Sequence, residues 1–126
     1  MRAYLDTQVA VWLGRGQEKK LSRNARTAVR KHELIVSPAV VLELELLYEI
    51  GRITVGSQGI VRKLITELDA TVSTVTFADV AGAAISEGWT RDPFDRLIVA
   101  NARFDGIAPL ITADEHIQSH YVRAVW

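Results

Sequence analysis

The sequence predicts an α/β fold in which a central, mostly parallel sheet is covered by helices on both faces. Three observations predict it. Short apolar runs rich in β-branched residues alternate with segments of helical periodicity along the chain. The three prolines stand at element boundaries, with start and stop signals bracketing the helical segments. The 126 residues, 48% of them apolar, contain no internal repeat or linker, which describes a single domain, residues 1–126, able to bury a core of its own.

In chain order, the first strand is Ala3–Leu5, followed by a helix over Thr7–Leu13 that Asp6 is placed to cap. Ser22 caps a second helix, Arg23–Lys31, with Arg23, Arg26 and Arg30 on one face and Ala25, Ala28, Val29 and His32 on the other. Leu34–Val36 is the second strand. Ser37-Pro38 then opens a helix over Pro38–Ile50, with a proline at the first helical position, and Gly51 closes it. Helical spacing continues over Gly59–Leu68, followed by a strand at Val72–Val75 and a helix over Phe77–Glu87. Asp92-Pro93 and Gly106 bracket a helix over Pro93–Phe104. Leu110–Thr112 forms a strand, Thr112-Ala113-Asp114-Glu115 has the pattern of a capping box for a short last helix, and Val122–Val125 is a final strand.

Composition removes several function classes. The chain has no Cys, which excludes disulfides, thiolate zinc sites and cysteine nucleophiles and fits a reducing cytosol. The longest apolar run, Val9–Leu13, is far too short to span a membrane, and no signal-peptide pattern opens the chain, so a soluble cytoplasmic protein without membrane contact is expected. Fifteen basic residues balance fifteen acidic ones, which argues against binding nucleic acid through a basic surface alone. The basic residues are nonetheless uneven. Arg15, Lys19, Lys20, Arg23, Arg26, Arg30 and Lys31 crowd one stretch, and the arginine stripe is either a solvated helix face or a phosphate-contacting one. His116 and His120, four apart, lack further zinc ligands and read as a surface pair. Trp12, Trp89 and Trp126 read as core or interface residues, and Gly56-Ser57-Gln58-Gly59 as a turn lacking the lysine of a phosphate loop.

Chemistry is sought at the carboxyl ends of the strands, where ligands bind in open sheets of this kind. Asp6, Asp95 and Asp114 all fall there, although helix capping accounts for each locally, as it does for Asp92. Glu43 is different. Its helical neighbours Ala39, Val40, Leu46 and Leu47 are apolar, so its carboxylate needs a buried arginine, protonation or a shared divalent cation as compensation. A single oxygen-lined site for Mg²⁺ or Mn²⁺ would account for all four acids together, and such an ion suits phosphodiester hydrolysis.

The order and spacing of Tyr4-Leu5-Asp6-Thr7 with Trp12, Ser37 six residues before Glu43, Asp92-Pro93-Phe94-Asp95-Arg96, Leu110-Ile111-Thr112-Ala113-Asp114, Tyr121 and Trp126 resemble PIN-domain ribonucleases, most closely the VapC-type toxins of toxin-antitoxin pairs. The resemblance spans the chain and implies a three-layer α/β/α PIN domain. It further implies an endoribonuclease in which a water activated by Mg²⁺ or Mn²⁺ cuts RNA to a 5′-phosphate and a 3′-hydroxyl. By the same resemblance Asp6 and Asp95 ligate the metal directly, Glu43 ligates it or holds its water, Asp114 completes the set, and Thr112 orients a carboxylate. Asp92 is left as a cap, and Arg96 as a phosphate contact or an exposed ion pair. A VapB-type antitoxin and a homodimer are the implied partners. Relatives often carry His after the Asp-Thr pair and before the Asp-Pro-Phe-Asp stretch, where this chain has Gln8 and Trp89-Thr90-Arg91. A signalling receiver would need paired acids after the first strand and a late lysine. A haloacid-dehalogenase-like phosphatase would need Asp where Gln8 stands. A catalytically silent PIN-fold binding module remains as the alternative.

Overall fold

A computed structural model describes residues 1–126. It places five strands in one sheet: β1 (Arg2–Leu5), β2 (Glu33–Val36), β3 (Thr71–Val72), β4 (Leu110–Ile111) and β5 (Ala124–Val125). The order across the sheet is β3-β2-β1-β4-β5, and every pairing is parallel. Seven α-helices surround it: α1 (Thr7–Gly14), α2 (Arg23–Lys31), α3 (Pro38–Glu49), α4 (Ser57–Leu68), α5 (Phe77–Ala84), α6 (Pro93–Phe104) and α7 (Glu115–His120). A turn of 3₁₀ helix at Glu18–Lys20 precedes α2.

The burial pattern explains why the sheet is a middle layer. Ala3, Tyr4 and Leu5 of β1 and Leu34, Ile35 and Val36 of β2 are buried in succession, and successive strand residues face opposite sides. Both faces are therefore covered, the condition parallel sheets require, and the architecture is three-layer α/β/α. α1 packs on α4, α4 on α3, α3 on α6 and α6 on α5, while α2 lies against β4 and β5. At Gly14 the backbone of α1 comes so close to α4 that an added Cβ would stand 2.7 Å from Cγ2 of Ile60. One connected core of 26 residues runs through these layers, and Trp12 and Trp126 pack on it with their ring centroids 5.9 Å apart.

Element boundaries differ from the sequence reading where a polar contact intervenes. Helix α4 begins at Ser57, two residues early, because Glu45 on α3 accepts the Ser57 N–H at 3.1 Å and the Ser57 hydroxyl donates to the carbonyl of Val41. Glu45 is thus a half-buried acceptor at the head of α4. β3 stops at Val72, not Val75: the Ser73 N–H still donates to the Val36 carbonyl, and the chain then turns as the Val75 N–H donates to the Ser73 hydroxyl at 3.3 Å, which also accepts from Tyr4 Oη and Asn101 Nδ2 at 3.1 Å. α5 ends at Ala84, not Glu87. Its last turn tightens into i→i−3 bonds as Glu87 turns inward to meet Arg103. The capping box also shifts, because the cap of α7 is Asp114 itself rather than Thr112. Ile50 and Gly51 end α3, the latter at φ +79°.

Candidate functional site

The topology reverses direction at the centre of the sheet. From β1 the chain builds outward through β2 to β3, then returns to the other side of β1 to lay down β4 and β5. A crevice opens at such a switch point, beyond the carboxyl ends of the two strands that flank it. Here those strands are β1, which leads into Asp6, and β4, which leads into Thr112 and Asp114.

Asp6 is buried at the head of α1, where Oδ1 accepts from the Thr7 N–H at 2.8 Å and Oδ2 from the Thr112 hydroxyl at 2.6 Å. The Thr112 hydroxyl in turn accepts from the Asp114 N–H at 3.0 Å, so one threonine joins two acids. Burial pushes the Asp6 carboxyl above its ordinary range against the pull of these hydrogen bonds, and Asp114 and Asp92 push it further. Asp114 caps α7, accepting from the N–H groups of His116 at 2.8 Å and Ile117 at 3.1 Å.

Glu43 is half-buried on α3, no arginine pairs with it, and the Thr7 hydroxyl donates to its Oε1. Burial raises the Glu43 carboxyl, the Thr7 bond opposes the rise, and Asp6 and Asp92 add to it. Asp95, in the first turn of α6, is pushed up to about 7, first by burial and then by Asp92, Asp6, Asp114 and Glu43. Asp95 therefore lies within electrostatic reach of the other three acids singled out in the sequence, Asp6, Glu43 and Asp114.

Two participants were missed by sequence reasoning. Asp92 caps α6, with Oδ1 accepting from Phe94 N–H at 2.8 Å and Asp95 N–H at 3.2 Å, and it also acts electrostatically on Asp6, Glu43 and Asp95. It is a fifth acid of the same cluster. The signal was present, since residues three apart on a helix share a face, so an acid beside Asp95 belongs near the same pocket. Thr7 was noted only as part of a motif, yet its hydroxyl and N–H bridge Glu43 and Asp6.

No cation of the protein neutralises the cluster. The ion pairs of the structure are Arg2–Asp105 and Arg103–Glu87, neither of which involves these acids. Arg96 forms no ion pair and donates Nε to the carbonyl of Thr90 at 2.8 Å. Within the arginine stripe, Arg26 is half-buried and lines a small groove with Arg30, Glu18 and Leu68, while Arg23 is exposed. The donor set is all oxygen, which suits a hard divalent cation, although no three side chains stand close enough to form a closed metal cage.

His116 and His120 are exposed as expected, but they are not an isolated pair. Trp89 stacks on His120, and both histidines belong to one aromatic array with it.

The family model of the PIN domain matches residues 3–122. The chain belongs to the PIN domain family. Among solved structures, the crystal structure of VapBC2 from Rickettsia felis bound to a DNA fragment from their promoter superposes on this PIN domain with a TM-score of 0.66. The match covers 98% of this chain and 96% of that one at 16% identity, a likeness of fold. No curated protein sequence matches it. No helix of this PIN domain is long and apolar enough to cross a membrane.

Proposed function

We propose that this PIN domain is an endoribonuclease dependent on Mg²⁺ or Mn²⁺ and the toxin of a type II toxin-antitoxin pair. One observation carries the reading: Asp6, Glu43, Asp92 and Asp114 all act electrostatically on Asp95 at the carboxyl end of the sheet, and no protein cation pairs with any of the five. Asp6 and Asp95 would hold the ion directly, Glu43 would ligate it or hold its water, and Asp114 would complete the set, since a small hard cation takes only one or two carboxylates directly. When bound, the ion polarises a phosphoryl oxygen and acidifies its water.

The protein's own groups prepare that chemistry. Thr112 fixes Oδ2 of Asp6, the Thr7 N–H fixes Oδ1, and the Thr7 hydroxyl fixes Glu43, so the carboxylates meet a ligand already oriented. Asp95, whose carboxyl is pushed up to about 7 by burial and its acidic neighbours, would have to give up its proton to hold such an ion.

The toxin reading draws on the fold shared with the VapBC2 structure, and a VapB-type antitoxin is the partner it calls for. Exposed Leu42, Ile50, Phe77 and Ile85 offer apolar surface to such a partner or to a second copy in a homodimer.

The test is incubation with RNA in Mg²⁺, Mn²⁺ or EDTA, followed by end mapping. Cleavage in the metals alone, leaving 5′-phosphates and lost in both Asp6→Asn and Asp95→Asn, is the expected result. Intact RNA together with an unchanged melting temperature at saturating metal would leave a silent binding module instead.

A further inference from the structure

Three aromatic rings outside the acid cluster form an ordered array at its rim. Trp89, between α5 and α6, stacks on His120 with centroids 4.9 Å apart and planes 6° from parallel. It meets His116 edge-on at 5.0 Å, and the two imidazoles meet edge-on at 4.9 Å. Trp89 is half-buried while both histidines are exposed, so the imidazoles are the outer layer.

The array is fixed from beneath. Trp89 Nε1 donates to Oε1 of Glu87 at 2.9 Å, and buried Glu87 is held by Arg103 Nε at 2.8 Å. His120 Nδ1 lies 2.9 Å from the carbonyl of His116, which can only accept, so Nδ1 carries the proton there. Exposed rings normally sample several rotamers, whereas these are pre-ordered, and pre-ordering lowers the cost of binding.

Both sides of the array are tied to the acids. Trp89 precedes Asp92 by three residues, and between them Thr90 accepts from the Asp92 N–H through its hydroxyl at 3.1 Å and from Arg96 through its carbonyl. On the other side the His116 N–H donates to Asp114. Exposed Arg91 adds a cation on the same loop, with Nη1 donating to the carbonyl of Gly88 at 3.0 Å.

We infer that Trp89, His116 and His120 form a stacking subsite for a nucleobase of single-stranded RNA, beside the phosphodiester that the acids engage. The inference rests on the nuclease reading and adds how substrate is held. Without metal the unneutralised carboxylates repel a polyanion, so contacts that ignore charge add affinity that the acids cannot. Aromatic faces supply these, because every base has a π-face. Only an unpaired base can leave its own stack to reach them, which selects single strands over duplex.

The test compares wild type with His116→Gln/His120→Gln, which keeps polarity and removes the rings. Affinity for a labelled single-stranded RNA is measured by anisotropy in EDTA, and KM and kcat in Mg²⁺. The double variant is expected to bind about tenfold more weakly and to show a similarly raised KM with kcat within about twofold. That difference should vanish on an abasic ribose-phosphate oligomer of the same length. Trp89→Phe, which keeps a ring but loses the Glu87 bond, should fall between. Equal affinities for RNA, or an undiminished difference on the abasic oligomer, would overturn the subsite. Cleavage with unchanged KM in the variant removes the subsite and leaves the nuclease. Ring-dependent binding without cleavage does the reverse.

Discussion

Asp95→Asn should make the metal-free protein more stable at alkaline pH, and the magnitude follows from the site. Burial and four neighbouring carboxylates lift the Asp95 carboxyl from 3.8 to about 7. At 1.36 kcal/mol per tenfold change in proton affinity, that gap is worth ~4 kcal/mol. The side chain is only half-buried, and solvent screening reduces the figure to about 2 kcal/mol. The sign is set by the protonated form being favoured in the folded state. Stability from this group is fully present below pH 3.8, declines as pH rises, and is lost above about 7. Asparagine mimics the neutral acid and does not titrate. In EDTA at pH 8 the variant should therefore unfold about 2 kcal/mol harder than wild type, roughly 8 °C in melting temperature, and the gap should narrow towards pH 4. Saturating Mg²⁺ at pH 8 should raise wild type more than the variant. Equal melting temperatures at pH 8 in EDTA, or a less stable variant, would refute the claim that the acids repel one another without relief.

Thr112→Val removes the hydroxyl that fixes Oδ2 of Asp6 and should weaken metal affinity about 10–100-fold, read by calorimetry or a metal-dependent melting shift. Gly14→Ala forces a Cβ against Ile60 and should cost about 1–3 kcal/mol by urea unfolding, with wild-type cost excluding a rigid contact between α1 and α4. Glu87→Ala leaves Arg103 unpaired and the Trp89 N–H without its acceptor, and should destabilise by about 2 kcal/mol; a change under about 0.5 kcal/mol would show that water replaces both bonds.

The alternation of elements was legible because it rests on local chemistry. α2 and α6 run between the same residues that their Ser22 and Asp92-Pro93 signals predict, and β1 and β2 lie within one residue of their apolar runs. What the sequence did not disclose lies in contacts between distant segments. The cap of α4 is supplied from α3 by Glu45, and the end of α5 is set by Arg103 on α6. Glu43 was recognisable as anomalous from its apolar neighbours, yet its partner Thr7, thirty-six positions away, was not. Trp89, His116 and His120 were each unremarkable until tertiary structure stacked them.

Helix capping and a charged site support each other at these acids. Asp6, Asp92 and Asp114 are all helix caps, at the heads of α1, α6 and α7, and Asp95 lies in the first turn of α6. A helix N-terminus carries about half a positive charge, so three such ends at one crevice partly offset the carboxylates placed there. The offset falls short, because Asp95 still stands at about 7 and Asp6 and Glu43 remain raised. This balance suits the proposed cation site: the dipoles let the chain fold with its acids gathered, and the uncompensated remainder would supply affinity for an added charge. Substituting any one cap should therefore have two separable effects, loss of helix stability at all pH values and relief of repulsion only where its acidic neighbours are ionised.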